Sequence, residues 1–171
     1  MPNTLTASFT SNITGTLTAP AIELLATSSK LKAGKTVSFK TGDGVGEVNN
    51  VFADIRTITP SEPETLDLSG VLSSPFGETL AFSSIKGIYI ENKSKDATLI
   101  VGGASANAWI GFFGAATERL RIPPGGYFEL PNPTGDGWPV TAATADLLKI
   151  AHGGDGAAAI EYAIVLVGVA A

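Results

Sequence analysis

The stretch IKGIYIEN at residues 85–92, followed by TLIVGG at 98–103 and RIPPGGYFEL at 121–130, decides the fold class of this chain. The first two pieces are short apolar runs rich in β-branched residues that end in Asn or Gly, and the third has apolar residues on both sides of Pro-Pro-Gly-Gly. These residues favour turns. Short strands at fairly regular spacing, separated by turn residues, are typical of a β sandwich or barrel. We therefore predict an all-β domain.

The same pattern extends in both directions from this stretch. Alternating apolar and polar residues predict strands at 36–40, 51–59 and 64–68. We predict one hairpin from residues 85–91 and 97–101, and a last hairpin from residues 147–151 and 159–167. Residues 1–18 alternate only loosely. The domain organisation that follows is an N-terminal arm or pair of edge strands at 1–40 and a β-sandwich domain at 41–171.

The final predicted strand, AIEYAIVLV at 159–167, becomes apolar on both faces. Tyr162, Ile164 and Leu166 share one face, and Val167 lies on the other, because side chains alternate along a strand. A strand with two apolar faces is either central and covered on both sides or part of a subunit interface. We predict a subunit interface at these four residues.

The composition describes a chain with little charged surface. Hydrophobic residues make up 44% of the 171 residues, and charged residues only 16%, where about a quarter is usual. The net charge of −5 argues against electrostatic binding of nucleic acid, which needs a basic face. A protein with so little charge is expected to bury part of its surface against partners.

The positive charges are unevenly distributed. Residues 1–40 contain four lysines against Glu23 alone, namely Lys30, Lys32, Lys35 and Lys40. We predict that these lysines form a docking patch, and the alternative is a solvated loop that happens to carry lysines.

Cysteine is absent from the chain and histidine occurs once, which excludes disulfides and leaves a zinc site without its usual ligands. The apolar run at residues 163–171 is far shorter than the roughly 20 residues of a membrane-spanning helix. We expect no metal, no cofactor and no membrane partner.

No catalytic motif stands out in the sequence. A GKT triplet at 34–36 ends like a phosphate-binding loop, but that loop requires a glycine where this chain has Ser29. His152 with Asp155 or Asp146 could suggest a catalytic triad, yet it lies in a Gly-rich turn that is unsuited to rigid catalytic geometry. The acidic residues Glu62, Glu64 and Asp67 lack calcium-loop spacing. We predict a protein without enzymatic activity.

Aromatic residues offer one further candidate site. Trp109, Phe112 and Phe113 lie in a long Ala- and Gly-rich loop, and Trp138 follows later in the chain. Exposed aromatic rings could stack on a sugar. The alternative is that they fill the core of the sandwich, which is the commoner role of aromatic residues in such folds.

A further observation rests on segments spread over about residues 45–168, namely VFADIRT (51–57), ETLDLSG (64–70), PFGETLAFSSIKGI (75–88), VGG (101–103), PGG (124–126), TADLLKI (144–150) and YAIVLVG (162–168). In these segments the chain resembles a widespread group of tailed-bacteriophage virion structural proteins.

This resemblance implies a jelly-roll-like β sandwich that assembles, often as a homotrimer, on a virion. The implied function is that of a capsid decoration (cement) protein, which binds the major capsid protein lattice at the capsid surface and stabilises the head. The lysine-bearing N-terminal segment would then reach onto that lattice. The alternative is a head-fibre or tail protein that binds host surface glycan through Trp109, Phe112 or Trp138.

Overall fold

The computed structural model describes residues 4–18, 28–60, 62–74, 76–154, 156 and 158–171. These residues form fourteen strands, and none of them lies in a helix, which confirms the predicted all-β class. Within the described ranges there is accordingly no helix that could cross a membrane. The strands are β1 (Ala7–Thr18), β2 (Ser28–Thr41), β3 (Glu47–Val48), β4 (Asn50–Ile58), β5 (Glu64–Asp67), β6 (Leu72–Ser73), β7 (Thr79–Leu80), β8 (Phe82–Asn92), β9 (Leu99–Gly102), β10 (Arg119–Ile122), β11 (Tyr127–Pro131), β12 (Trp138–Pro139), β13 (Leu147–His152) and β14 (Ile160–Ala170).

Eight of these strands form two antiparallel sheets. The first sheet has the order β11-β8-β14-β4, with the short β12 added to β8, and the second has the order β10-β9-β13-β5. If these eight strands are numbered 1 to 8 along the chain, the first sheet has the order 6-3-8-1 and the second sheet has the order 5-4-7-2. Eight strands in two sheets are also the number that a double-sheet jelly roll combines in its two Greek keys.

The two sheets share one buried core. Alternate side chains of β8 and β14, such as Ile88 and Ile164, face those of β9 and β13, such as Leu99 and Leu148, and all four are fully buried. This packing follows from the period of two along each strand, which collects the apolar residues on one face. The sheets therefore form a sandwich.

Both predicted hairpins are wrong, because their strands lie in different sheets. β8 pairs with β11, β12 and β14, whereas β9 pairs with β10 and β13. β13 likewise belongs to the second sheet and β14 to the first. The physical reason is that both strands of each pair have an apolar face to bury. Placing them in opposite sheets lets those faces meet across the core, about 10 Å apart.

A buried asparagine stabilises the connection between β8 and β9, where the chain passes from the first sheet to the second. Asn92, at the end of β8, is fully buried and donates from Nδ2 to the carbonyl oxygens of Ala97 and Ile122 at 2.8 and 3.0 Å. Its Oδ1 accepts a hydrogen bond from the Ser94 amide at 3.0 Å. The side chain thus satisfies backbone groups that would otherwise be unpaired where the chain leaves one sheet for the other.

The N-terminal segment forms a long two-stranded hairpin. β1 and β2 pair over twelve residues, from Ala7 opposite Phe39 to Thr18 opposite Ser28. The end near the sandwich is anchored, since Phe9 and Phe39 are buried. In the nine outer register pairs, from Thr10 opposite Thr36 to Thr18 opposite Ser28, every residue is exposed. We call this outer part the arm; at about 3.4 Å per residue it is nearly 30 Å long.

Candidate functional site

The arm has two chemically different faces. Because the strand period is two, Ile13 and Leu17 of β1 share a face with Leu31 and Ala33 of β2. The opposite face carries only polar residues and glycine: Thr10, Asn12, Thr14, Thr16 and Thr18 opposite Thr36, Gly34, Lys32, Lys30 and Ser28. The apolar face is open to solvent, with Ile13 59% exposed, Leu17 76% and Leu31 61%.

The base of the hairpin packs on the outside of the first sheet. Phe9 and Phe39, whose rings meet edge to face at 6.0 Å, form a second buried cluster with Val48 and Val167. The Phe9 ring packs directly on Gly87 in the middle of β8, and we call this contact the seat of the hairpin. A Cβ atom at Gly87 would lie 2.5 Å from the Phe9 ring, which is far inside contact distance. The absence of a side chain at position 87 therefore allows the hairpin to lie against the sheet.

The four lysines predicted as a docking patch are distributed along this hairpin. Lys30 and Lys32 lie on the polar face of the arm, whereas Lys35 lies on the apolar face opposite Ser11. Lys40 lies near the base, where its Nζ is 3.1 Å from Glu47 Oε1. No acidic residue occurs in the described part of β1 and β2, so the arm presents an uncompensated positive charge.

Beyond the hairpin base, the outside of the first sheet continues as an uncovered surface. Register places Ala53 and Ile55 of β4 beside Val165 and Ala163 of β14, and these beside Tyr89 and Glu91 of β8, with Tyr127 and Glu129 of β11 at the edge. We call this surface the open outer face. Ile55 is 59% exposed and Tyr127 64%. A shallow depression of about 490 Å³ lies over its β4–β14 half.

The residues predicted to form a subunit interface lie inside the molecule. Tyr162, Ile164 and Leu166 are fully buried in the core between the sheets, and Val167 is buried under the hairpin base. The first three are buried because the inner side of β14 faces the second sheet, and Val167 is buried because the hairpin base covers the outer side of β14 at that position. The neighbouring outward residues Ala163 and Val165 are the ones left partly exposed.

The aromatic loop residues are also largely internal. Trp109 is only 2% exposed, and its indole Nε1 donates to the Pro139 carbonyl at 3.0 Å. Phe112 packs against Trp109, Phe113 and Phe128 with ring centroids 4.3 to 6.1 Å apart. Trp109 therefore has the core role that was the alternative to sugar binding, while Phe112 and Phe113 are half-buried at the margin of the core.

An ionic network at one edge of the sandwich was not foreseen from the sequence. Glu64 of β5 accepts hydrogen bonds from the buried Tyr162 hydroxyl and from Arg56, whose Nη2 lies 2.6 Å from Glu64 Oε2. Arg56 also contacts Asp54 at 2.9 Å. Burial and the bond to Glu64 raise the pKa of Tyr162 well above its ordinary value. The network links the two sheets, since Glu64 and Tyr162 belong to different ones.

The candidate catalytic residues have structural partners. His152 Nδ1 accepts from the Gly154 amide at 3.0 Å, so Nε2 carries the proton and donates to the Ala158 carbonyl at 3.0 Å. Asp155 lies outside the described residues. Asp146 is buried, and its Oδ2 accepts from Ser69 Oγ and the Ala143 amide. Among the described residues, no group of three or more His, Cys, Asp or Glu is arranged to hold a metal ion.

One buried lysine stabilises the loop next to the hairpin base. Lys86 of β8 is fully buried, and its Nζ donates to the carbonyl oxygens of Asp43 and Gly44 at 2.9 and 2.8 Å. In the same loop, Glu47 accepts from the Gly44 amide at 2.9 Å. That hydrogen bond, with Lys40 beside it, lowers the pKa of Glu47. These contacts fix the position from which β2 leaves the sandwich.

Comparison with known proteins adds no further constraint. A scan against protein-family models gives no match, and a search of curated proteins finds no similar sequence.

Two features of the N-terminal hairpin and its contact with the first sheet could have been found in the sequence. The alternation Ile13, Leu17 and Leu31, Ala33 is visible in the letters, and a glycine inside a strand, such as Gly87, often marks the close approach of another backbone or ring. The sequence does not show that β1 pairs with β2. Without the register of that pair, these four apolar residues cannot be assigned to one face.

Proposed function

We propose that this chain is a non-enzymatic decoration (cement) protein of a tailed-bacteriophage capsid. It binds the major capsid protein lattice at the capsid surface, as a homotrimer, and stabilises the head. Neither nucleic acid nor a membrane is a partner. The observation that carries the proposal is the arm, a cationic two-stranded hairpin whose nine outer register pairs are exposed on both faces.

A two-stranded hairpin in water is at best marginally stable by itself. An arm of this length therefore gains most of its stability when other protein surfaces cover it. Its two faces suit two different surfaces: the apolar face suits another apolar surface, and the polar face carries hydroxyl groups together with Lys30 and Lys32. We assign the polar face to the capsid lattice, where the lysines would meet acidic or polar groups.

The composition and the strand order support the same proposal. Only 16% of the residues are charged, which suits a chain that buries surface against neighbours. Eight strands in a double-sheet arrangement are also the architecture of many viral capsid domains. Glycan binding by a head-fibre or tail protein is less well supported, because Trp109, its strongest aromatic candidate, is buried.

Copy number and capsid binding test the proposal together. We expect hundreds of copies per virion by quantitative mass spectrometry, and co-sedimentation of the purified chain with capsids that lack it. Reversing two arm charges, Lys30→Glu with Lys32→Glu, should weaken that binding by at least about tenfold, through loss of charge-assisted contacts and new repulsion. The matched control reverses two exposed charges on the sandwich, Lys95→Glu with Arg121→Glu, and should bind normally.

A handful of copies per virion would contradict the proposal and indicate a fibre or tail tip instead. Equal loss of binding in both double variants would show that general charge, rather than the arm, determines capsid binding.

A further inference from the structure

We propose that the open outer face of one copy receives the apolar face of the arm of a second copy. This contact does not depend on the capsid, and it explains how the proposed homotrimer would be held together before it reaches a virion.

The two surfaces match in chemistry. The arm presents Ile13, Leu17 and Leu31 to solvent. The open outer face presents Ala53 and Ile55 with the partly exposed Ala163 and Val165. In a lone chain both apolar surfaces face water, and burying them against each other is favourable in proportion to the area removed from solvent.

The two surfaces also match in size. Ile13 and Leu17 are four residues apart on one strand, so the apolar face of the arm is about 14 Å long at about 3.4 Å per residue. The open outer face is four strands wide, from β11 to β4. Three inter-strand spacings of about 4.8 Å give a width of about 14 Å. The arm is therefore long enough to span the face, and its apolar residues meet the apolar ones in the β4–β14 half.

Charge favours the same pairing. The arm carries lysines and, within its described strands, no acidic residue. The open outer face carries Glu91 and Glu129. Glu161 lies on the same side of β14 beyond Ala163, where it is paired with Lys93 Nζ at 3.5 Å. A cationic arm is thus attracted to an apolar surface with a carboxylate rim, which also disfavours the binding of another acidic surface.

The chain already uses this packing mode within itself. The hairpin base places Phe9 on the same side of the first sheet, one register row away from the open outer face. Tyr89 and Val165 border the cluster that the base forms and also belong to the open outer face. An arm from a neighbouring copy would therefore enlarge the apolar cluster that the hairpin base already forms on this side of the first sheet.

The arm of the same copy is not the occupant. Next to the base, Ser11 and Lys35 of the hairpin line a groove of about 460 Å³ together with Tyr127 and Glu129 of the edge strand β11. Beyond this groove the arm is exposed on both faces. Each copy therefore gives one arm and accepts one arm, a head-to-tail contact that forms a closed ring when the rotation between copies closes.

The first test is the solution mass of the purified chain, measured by light scattering without capsids. We expect an oligomer, about 52 kDa for three chains of 17.4 kDa. Ile13→Thr with Leu31→Thr places a residue of high strand propensity at both positions but removes the apolar character of the arm, and should reduce the mass to that of one chain. The matched control alters the polar face of the arm without changing its charge, Thr14→Ser with Thr16→Ser, and should leave the mass unchanged.

The second test locates the contact. The chain has no cysteine, so Leu17→Cys or Leu31→Cys chains can be mixed with Ile55→Cys or Ala163→Cys chains and mildly oxidised. We expect disulfide-linked dimers of the two chain types on a non-reducing gel, and none when Lys32→Cys replaces the apolar arm positions. A disulfide forms only when the two Cα atoms come within about 7 Å.

A wild-type chain that is monomeric at all concentrations would overturn the inference, as would an oligomer that survives the Ile13 and Leu31 substitutions. If the chain is monomeric and those substitutions abolish only capsid binding, the apolar face of the arm belongs to the capsid protein. An oligomer cross-linked as expected that fails to bind capsids would leave the inference standing and refute the proposed function.

Discussion

Replacing Tyr162 by phenylalanine tests the network that joins the two sheets. The ring of Tyr162 is fully buried and its hydroxyl donates to the Glu64 carboxylate. Phenylalanine keeps the ring and its packing, so the change removes only the hydrogen bond and leaves a carboxylate oxygen without its donor. A hydrogen bond to a charged group contributes about 1.5–3 kcal/mol. We expect the free energy of unfolding at pH 8 to fall by that amount.

The pH dependence of this difference identifies the group responsible. The pKa of Tyr162 is raised in the folded state, first by burial and then by the bond to Glu64. Below the ordinary tyrosine pKa of about 10 the folded and unfolded chains both hold the proton, so the stabilisation is fully present. Above that pH only the unfolded chain releases the proton, and the wild type loses about 1.4 kcal/mol per pH unit that the variant does not lose. The difference should therefore vanish near pH 11–12.

Urea unfolding followed by the fluorescence of the two tryptophans gives the measurement. The matched control is Tyr89→Phe, which removes a longer tyrosine–glutamate bond, 3.2 Å to Glu91, on the outer face of the same sheet. It should change the free energy of unfolding at pH 8 by no more than about 0.5 kcal/mol. A Tyr162→Phe difference that stays constant from pH 9 to pH 12 would refute the assignment, and a difference of zero at pH 8 would show that the bond contributes nothing.

Three further substitutions test other contacts. Gly87→Ala places a methyl group 2.5 Å from the Phe9 ring and 2.8 Å from Val167 Cγ2 and should cost about 1–3 kcal/mol by overpacking. Phe9→Ala in the same chain should reduce this cost but not abolish it, because the contact with Val167 stays; equal costs in both backgrounds would refute the seat. Lys86→Met leaves two loop carbonyls without a donor; it should cost about 1–3 kcal/mol and accelerate amide exchange at residues 42–46, and unchanged exchange would contradict this role. Trp109→Phe removes the hydrogen bond to Pro139 and part of the buried ring volume, and should lower the free energy of unfolding by about 2–3 kcal/mol. A neutral effect in urea unfolding would instead favour a surface role for the ring.

The sequence by itself determined the class of fold and most of the strands. The alternation of apolar and polar residues depends on local geometry alone, because successive side chains point to opposite faces of a strand. It therefore predicted strands such as β4, β5, β8 and β14 close to their observed positions, and it showed that β14 is apolar on both faces.

The pairing of those strands depended on the tertiary structure. A periodic pattern says which face of a strand is apolar but not which other strand covers it, and both predicted hairpins proved to be crossings between sheets. For the same reason Tyr162, Ile164, Leu166 and Val167 could be read as an interface, although they fill the interior of one chain.

The candidate site shows the same division. The lysines of the N-terminal segment and its alternating apolar residues are visible in the sequence. Only the register of β1 with β2 separates them into a polar and an apolar face, and only the seat at Gly87 fixes the hairpin base on the first sheet. The register of β1 with β2 and the contact of Phe9 with Gly87 both join residues far apart in the chain. Local sequence patterns carry no information about such contacts.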